Sequence, residues 1–167
     1  VIGSIPIKAR WFHIWNGEEK TIPLICGGNK KGFIHNIREV VDKRIQPFNP
    51  YQVPFRNMVG FARLLKKTKI SVACPGWGPI GSAHNEALAA KAVLFSYDSV
   101  KAVKLLPFAE MVDGQNYVSF NLENLDGKLS SLMSNQDEIK RIAENGKQSF
   151  DEGYRPRKTA DVILNYF

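Results

Sequence analysis

Several signatures are missing from these 167 residues, and each absence removes a class of function. No run of about 18 apolar residues occurs, which excludes a membrane-spanning helix, and no secretory leader is read. Cysteine is scarce. Cys26 and Cys74 are the only two, with no C-x-x-C and no Cys/His cluster. That excludes a disulfide scaffold, argues against zinc, and leads one to expect a reducing, cytoplasmic compartment. G-x-x-x-x-G-K-[ST] is absent, so this is not a P-loop nucleotidase, and G-x-S-x-G is absent too. Repeats, low-complexity tracts and a second-domain linker are also lacking. A single domain over 1–167 is therefore expected. The chain opens on VIGSI, not on methionine, which fits a piece of a longer protein.

What is present is an ordinary globular composition, with 44% hydrophobic and 23% charged residues. A chain of this length buries roughly 70% of its unfolded surface and needs no staples. The 23 lysines and arginines exceed the 16 acids, for a net charge of +7. Such a surplus suits nucleotide phosphates, nucleic acid or an acidic membrane face, and equally suits plain solubility.

The pattern along the chain alternates between strand and helix. VIGSI (1–5), TIPLICGG (21–28), KISVACP (69–75), AVLFSYD (92–98) and NYVSFN (116–121) read as strands. Helical spacing marks 33–45, 55–67, 82–91, 122–134 and 136–150, a further helix from about 156, and a short aromatic one over 9–17. QPFNPYQVP (46–54), with its three prolines, reads as a loop. The strands are apolar throughout rather than alternating. This predicts an α/β, three-layer, Rossmann-like domain: a mostly parallel sheet covered by helices on both faces.

GWGPIGSAHNEALAAKAVLFSYD (76–98) carries the chemistry. In such a sheet, ligands bind where loops leave the carboxyl ends of strands. Gly76, Gly78 and Gly81 allow a tight turn and close approach to a ligand. Ser82 is expected to cap the next helix. The free N–H groups of that helix start, with its dipole, favour a phosphate. G-x-G-x-x-G also suggests a dinucleotide site, with Asp98, 22 residues after Gly76, as its ribose acid. Glu86 lies one turn above Ser82 on the same face. It is badly placed for a phosphate and well placed to accept hydrogen bonds from a ribose; a helix-surface acid is the other reading.

From Lys69 onward the chain resembles the C-terminal, donor-binding domain of GT-B-fold glycosyltransferases, most of all the group 1 type and its capsule- and spore-coat-related relatives. The likeness rests on a series covering about 100 residues: the glycine loop, Glu86-Ala87-Leu88-Ala89, the strand Val93–Phe95, Asp113-Gly114-Gln115-Asn116-Tyr117-Val118 and Ile142-Ala143-Glu144-Asn145-Gly146. The resemblance implies a nucleotide-sugar site. Glu86 matches the second acid of the paired-glutamate signature, which holds the ribose hydroxyls, and the glycine turn would lie beside the diphosphate. There are departures. The first acid should stand at Gly78. The small residue after the E-A-hydrophobic-A run is Lys91. His84 and Asn85 replace an arginine before the glutamate, and His84 could bind a phosphate or sugar oxygen or simply sit at the helix cap. Gly27-Gly28-Asn29-Lys30-Lys31-Gly32 is similar to the loop in which a basic residue faces the diphosphate, so Lys30 and Lys31 are weaker candidates.

The expectation is thus the donor-binding half of a glycosyltransferase, with Glu86, Gly76, Gly78, Gly81, Ser82, His84 and Asn85 at the donor nucleotide. A UDP- or GDP-sugar is the substrate and a glycan or lipid-linked molecule the acceptor, in polysaccharide or glycoconjugate biosynthesis. The resemblance implies an N-terminal acceptor-binding domain in a longer protein. No D-x-D occurs, so neither metal nor cofactor is expected. Nucleic acid is not expected as a partner, since RWFHIW (10–15) is the only aromatic cluster and reads as core or interface. Peripheral membrane association fits the charge. The alternatives are an NAD-dependent oxidoreductase domain using Gly76, Gly78, Gly81 and Asp98, and a non-enzymatic anion-binding module.

Overall fold

A computed structural model describes residues 19–26, 36–53, 58–76, 78–106 and 109–153. The expected elements at 1–5, 9–17 and beyond 156, and the loop holding Lys30 and Lys31, lie outside the described residues. The chain runs β1 (Ile22–Cys26), α1 (Asn36–Ile45), α2 (Met58–Lys66), β2 (Thr68–Ala73), α3 (Ser82–Ala89), β3 (Val93–Tyr97), β4 (Val118–Phe120), α4 (Leu125–Ser134) and α5 (Gln136–Gly153). The strands form one parallel sheet in the order β1-β2-β3-β4, with Leu24 beside Ile70, Ile70 beside Val93 and Phe95 beside Val118.

Both faces of this sheet are covered, which is why its strands read as unbroken apolar runs. Leu24, Ile70, Val72, Val93, Phe95 and Phe120 point to one side. There they meet Val41 and Ile45 of α1 and Leu125, Leu129 and Leu132 of α4. Ile25, Ala73 and Leu94 point to the other side, against Ala62 and Leu65 of α2 and Ala87 and Leu88 of α3. The period of two along each strand separates the two cores. Phe95 and Phe120 stack at 4.5 Å across β3 and β4, and Tyr97 meets Phe120 edge-on at 5.8 Å. α2 and α3 cover the same face, as right-handed crossovers in a sheet growing in one direction require.

Two details differ from the expectation. The stretch 46–54 is not featureless: Gln46–Phe48 makes a 3-10 turn, with proline in its first positions, and Tyr51 bridges to Ile25 of β1. Asn49, at φ 51°, ends that turn in the left-handed region that asparagine tolerates. After β3, Asp98–Ala102 forms a second 3-10 turn that spacing did not suggest.

α5 packs where the amino ends of the strands lie. Its Gly146 presses on the Asn116 carbonyl, just before β4, and on Leu88, at the end of α3. A β-carbon there would fall 2.6 Å from that oxygen and 3.0 Å from Leu88 Cδ2. The Asp113–Asn116 and Ile142–Gly146 motifs are therefore two sides of one contact. Asn116 anchors its own side: its Oδ1 accepts the Val112 N–H at 2.8 Å and its Nδ2 donates to the Glu110 carbonyl at 2.8 Å. Asp113 holds the other end of the turn, accepting hydrogen bonds from the Ser119 N–H and hydroxyl. Burial pushes the Asp113 carboxyl up, but Ser119, Lys128 and Lys101 outweigh it and hold it below its ordinary value.

Candidate functional site

β2 ends at Ala73, two residues before the expected Pro75, and the chain leaves the sheet's carboxyl edge through the glycine turn. The Gly76 N–H donates to the Gly78 carbonyl at 2.9 Å. Gly81, extended at φ −135° and ψ 179°, is the N-cap of α3. Ser82 is thus not the cap but the first helical residue, and its side chain is exposed. The reason lies three residues after the cap. The Gly81 N–H donates to His84 Nδ1 at 3.1 Å, so histidine performs the side-chain half of a capping box.

That bond fixes the imidazole's chemistry. Nδ1 accepts, so the neutral ring carries its proton on Nε2. Burial lowers the His84 pKa to about 4, and the nearby Arg38 charge adds to the lowering. The ring is therefore neutral at pH 7.

Three polar side chains in succession are buried here: His84 is 0%, Asn85 5% and Glu86 8% exposed. Glu86 is thus not a surface acid. Successive helical residues point about 100° apart, so from His84 onward α3 is buried most of the way round, while Ser82 before it stays exposed. Two buried atoms, the His84 Nε2 donor and the Asn85 Oδ1 acceptor, have no hydrogen-bond partner. Each such orphan costs roughly 1–3 kcal/mol.

The three glycines prove unlike one another. None has a positive φ; among the described glycines only Gly114 does, at 77°. Conformational freedom is thus not what Gly76, Gly78 or Gly81 supplies, contrary to the expectation drawn from the motif. A side chain at Gly81 would meet nothing within 4 Å, and at Gly78 only the Ile80 carbonyl, at 4.0 Å. Gly76 is different, because Arg38 Nη2 lies 2.8 Å from the place its β-carbon would take.

Arg38 and Ser99 are the residues that sequence reasoning missed. Arg38 Nε donates to the Pro75 carbonyl at 2.8 Å, and the Ser99 hydroxyl donates to the Pro79 carbonyl at 3.2 Å. A usable signal existed. In a parallel sheet the loops after β1, β2 and β3 all open at one edge, so polar residues just beyond each strand belong together. Asp98, which begins the 3-10 turn after β3, lies on this edge as well, next to Ser99. Among the described residues no group of three or more His, Cys, Asp or Glu gathers as a metal site, and no helix is long and apolar enough to cross a membrane.

Fold and site together define a Rossmann-like α/β domain with a buried polar helix start behind a glycine turn. Its fold is that of nucleotide-sugar glycosyltransferase structures. A variant of S. aureus TarM, in complex with fondaparinux, alpha-GlcNAc-glycerol and UDP, matches at TM-score 0.61 and 16% identity over 89% of this chain and 36% of that one. An alpha-glucosyltransferase in complex with UDP-glucose and DNA containing an abasic site matches at TM-score 0.61 and 10% identity, over 87% and 52%. The chain spans about a third to a half of the length of these structures. The GT-B resemblance drawn from the sequence is thus met at the level of fold. No protein-family model and no curated protein matches the sequence.

Proposed function

We propose that the chain is the donor-binding part of a glycosyltransferase, taking a nucleotide sugar at the glycine turn and the start of α3. The observation that carries the reading is the burial of His84, Asn85 and Glu86 in succession, with His84 Nε2 and Asn85 Oδ1 unpartnered. One atom can only donate and the other can only accept. A phosphate oxygen satisfies the first alone. A hydroxyl satisfies either, so ribose or sugar suits these two atoms better than a bare anion. The free N–H groups of the α3 start take the diphosphate. Glu86 accepts from the ribose hydroxyls. As the bond to the sugar breaks, charge developing on the leaving diphosphate meets the helix N-terminus and the basic surplus, with no resident metal in the scheme. The fold neighbours captured with UDP and UDP-glucose support this ligand class. In this proposal the base and sugar stay open between UDP- and GDP-sugars. The acceptor is a glycan or lipid-linked molecule held by an N-terminal domain of a longer protein that works in the cytoplasm, at the membrane periphery.

A dinucleotide site is the second reading, and one observation favours it: Asp98 follows β3, the neighbour of β2, on the edge where the turn opens. Thermal shifts with UDP, GDP, NAD and a short oligonucleotide separate the readings. Ligand at 100 times its Kd adds about 2.7 kcal/mol to stability. Stabilisation by NAD and by neither nucleoside diphosphate would sink the glycosyltransferase reading. Glu86→Ala should cost on the order of 1.5–3 kcal/mol of UDP affinity, the worth of hydrogen bonds to a charged group. Unchanged affinity would make Glu86 a bystander.

A further inference from the structure

The glycine turn is braced from the protein side, and one brace is a cation that the nucleotide reading leaves without a task. Arg38 stands in the first turn of α1, beyond the carboxyl end of β1. Its Nε holds the Pro75 carbonyl, while its Nη2 fills the space beside Gly76. Ser99 holds the Pro79 carbonyl from the β3 side. The two carbonyls lie either side of Gly76 and Gly78, so the turn is tied on both sides of these glycines. Arginine suits such a brace better than lysine. Its planar fork can hold a carbonyl through Nε and still pack flat, whereas an ammonium is a hydrated point charge on a flexible stem.

We propose that Arg38 is a positioning residue: it locks the turn that opens at Gly76 into one arrangement, ready to receive an anion, and it is the neighbour that a β-carbon at position 76 would displace. The inference rests on the reading that the turn takes the diphosphate of a nucleotide. A backbone set in advance needs no ordering at the moment of binding, and that saving appears directly as affinity. The role is through the turn and requires no contact between Arg38 and the ligand.

The test is a double-mutant cycle on the full 167-residue chain, with UDP as probe, read by calorimetry and thermal melts. Arg38→Lys keeps the charge and removes the Nε donor. It is expected to weaken UDP binding about tenfold or more, with melting close to wild type. Gly76→Ala should weaken UDP comparably, because its β-carbon displaces the guanidinium. In an Arg38→Ala background the same Gly76→Ala change should add less than about twofold. Wild-type affinity in Arg38→Lys, or additive losses from Gly76→Ala and Arg38→Ala, overturns the proposal. If Arg38→Ala does not fold, Arg38→Lys alone decides, since equal losses of stability and affinity there would show an ordinary structural arginine. Failure of the wild type to bind UDP strikes the nucleotide reading alone. The cycle is then read from the melts, where additive shifts overturn the brace and sub-additive shifts support it.

Discussion

Gly146→Ala is the sharpest test of how the domain is assembled behind its site. On propensity alone the change should help, since alanine in a helix interior is worth about 0.8–1.0 kcal/mol over glycine. The structure predicts the opposite. The new β-carbon would lie 2.6 Å from the Asn116 carbonyl oxygen and 3.0 Å from Leu88 Cδ2. Leu88 can turn its side chain aside. The carbonyl cannot, because the Asn116 side chain pins its own loop to Val112, Glu110 and, at 2.9 Å, to the Ser149 hydroxyl of α5 itself. Overpacking of this kind costs roughly 1–3 kcal/mol, more where backbone must move. After the propensity gain, a net loss of up to about 2 kcal/mol is expected, which lowers the melting temperature by up to roughly 8 °C for a domain of this size. Gly127→Ala in α4 is the control, since nothing lies within 4 Å of its β-carbon. It should stabilise by about the propensity difference. Chemical denaturation of both variants beside the wild type decides the matter. If Gly146→Ala were as stabilising as Gly127→Ala, α5 would not press on the Asn116 turn, and the physical link between the two C-terminal motifs would be lost.

Lys91 stands just past α3 with φ at 56°, the left-handed position that glycine fills most cheaply, and its Nζ pairs with Glu144 at 3.1 Å. Lys91→Gly and Lys91→Ala both lose that exposed pair, but only glycine is free of strain, so the glycine variant should be the more stable by about 1 kcal/mol in urea denaturation; the reverse order would refute the assigned backbone. His84 titrates at about 4 in the folded chain against an ordinary 6.5, so the unfolded state takes the proton first and stability falls as pH drops from about 6.5 towards 4, by about 3 kcal/mol in all, with no contribution above that window. His84→Gln should lack this slope, and equal slopes for the two proteins would show that His84 is not buried and neutral. Gly78→Ala meets open space at a φ alanine tolerates, so stability should hold or rise by about 0.4–1 kcal/mol. UDP affinity measured on the same variant should nevertheless fall, and an unchanged Kd would mean that the ligand does not come near this face of the turn.

Much of the framework was legible because parallel sheets buried on both faces write themselves as apolar runs. KISVACP and AVLFSYD became β2 and β3 with ends moved by a residue or two. Positions that depend on tertiary contact were less legible. Ser82 looks like a cap in any one-dimensional reading, yet the cap fell to Gly81 because His84 could reach back to its N–H from a ring already forced inside. The glycines of the turn look alike as letters, and only the neighbouring helix shows that Gly76 avoids Arg38 while Gly78 and Gly81 face open space. Arg38 is separated from Gly76 by 38 positions, and no local pattern joins them.

The same distinction bears on how the site should be told from a dinucleotide turn. Glycines, a helix start and an acid after the next strand are features of the strand-helix-strand unit, and any nucleotide built around a diphosphate can use them. They fix where the phosphates go and say little about what hangs from them. Specificity has to come from groups that are neither glycine nor backbone. In the proposed site these are His84, Asn85 and Glu86, whose burial is costly unless a partner repays it. A helix start that served a dinucleotide pyrophosphate alone would gain nothing from an acceptor at Asn85 Oδ1. One that reads hydroxyls needs it. Asn85→Leu, which removes the orphaned acceptor and keeps the volume, should therefore stabilise the unliganded domain by about 1 kcal/mol or leave it unchanged, while weakening nucleotide-sugar binding. Loss of stability without loss of affinity would mean that Asn85 serves the fold and not the ligand.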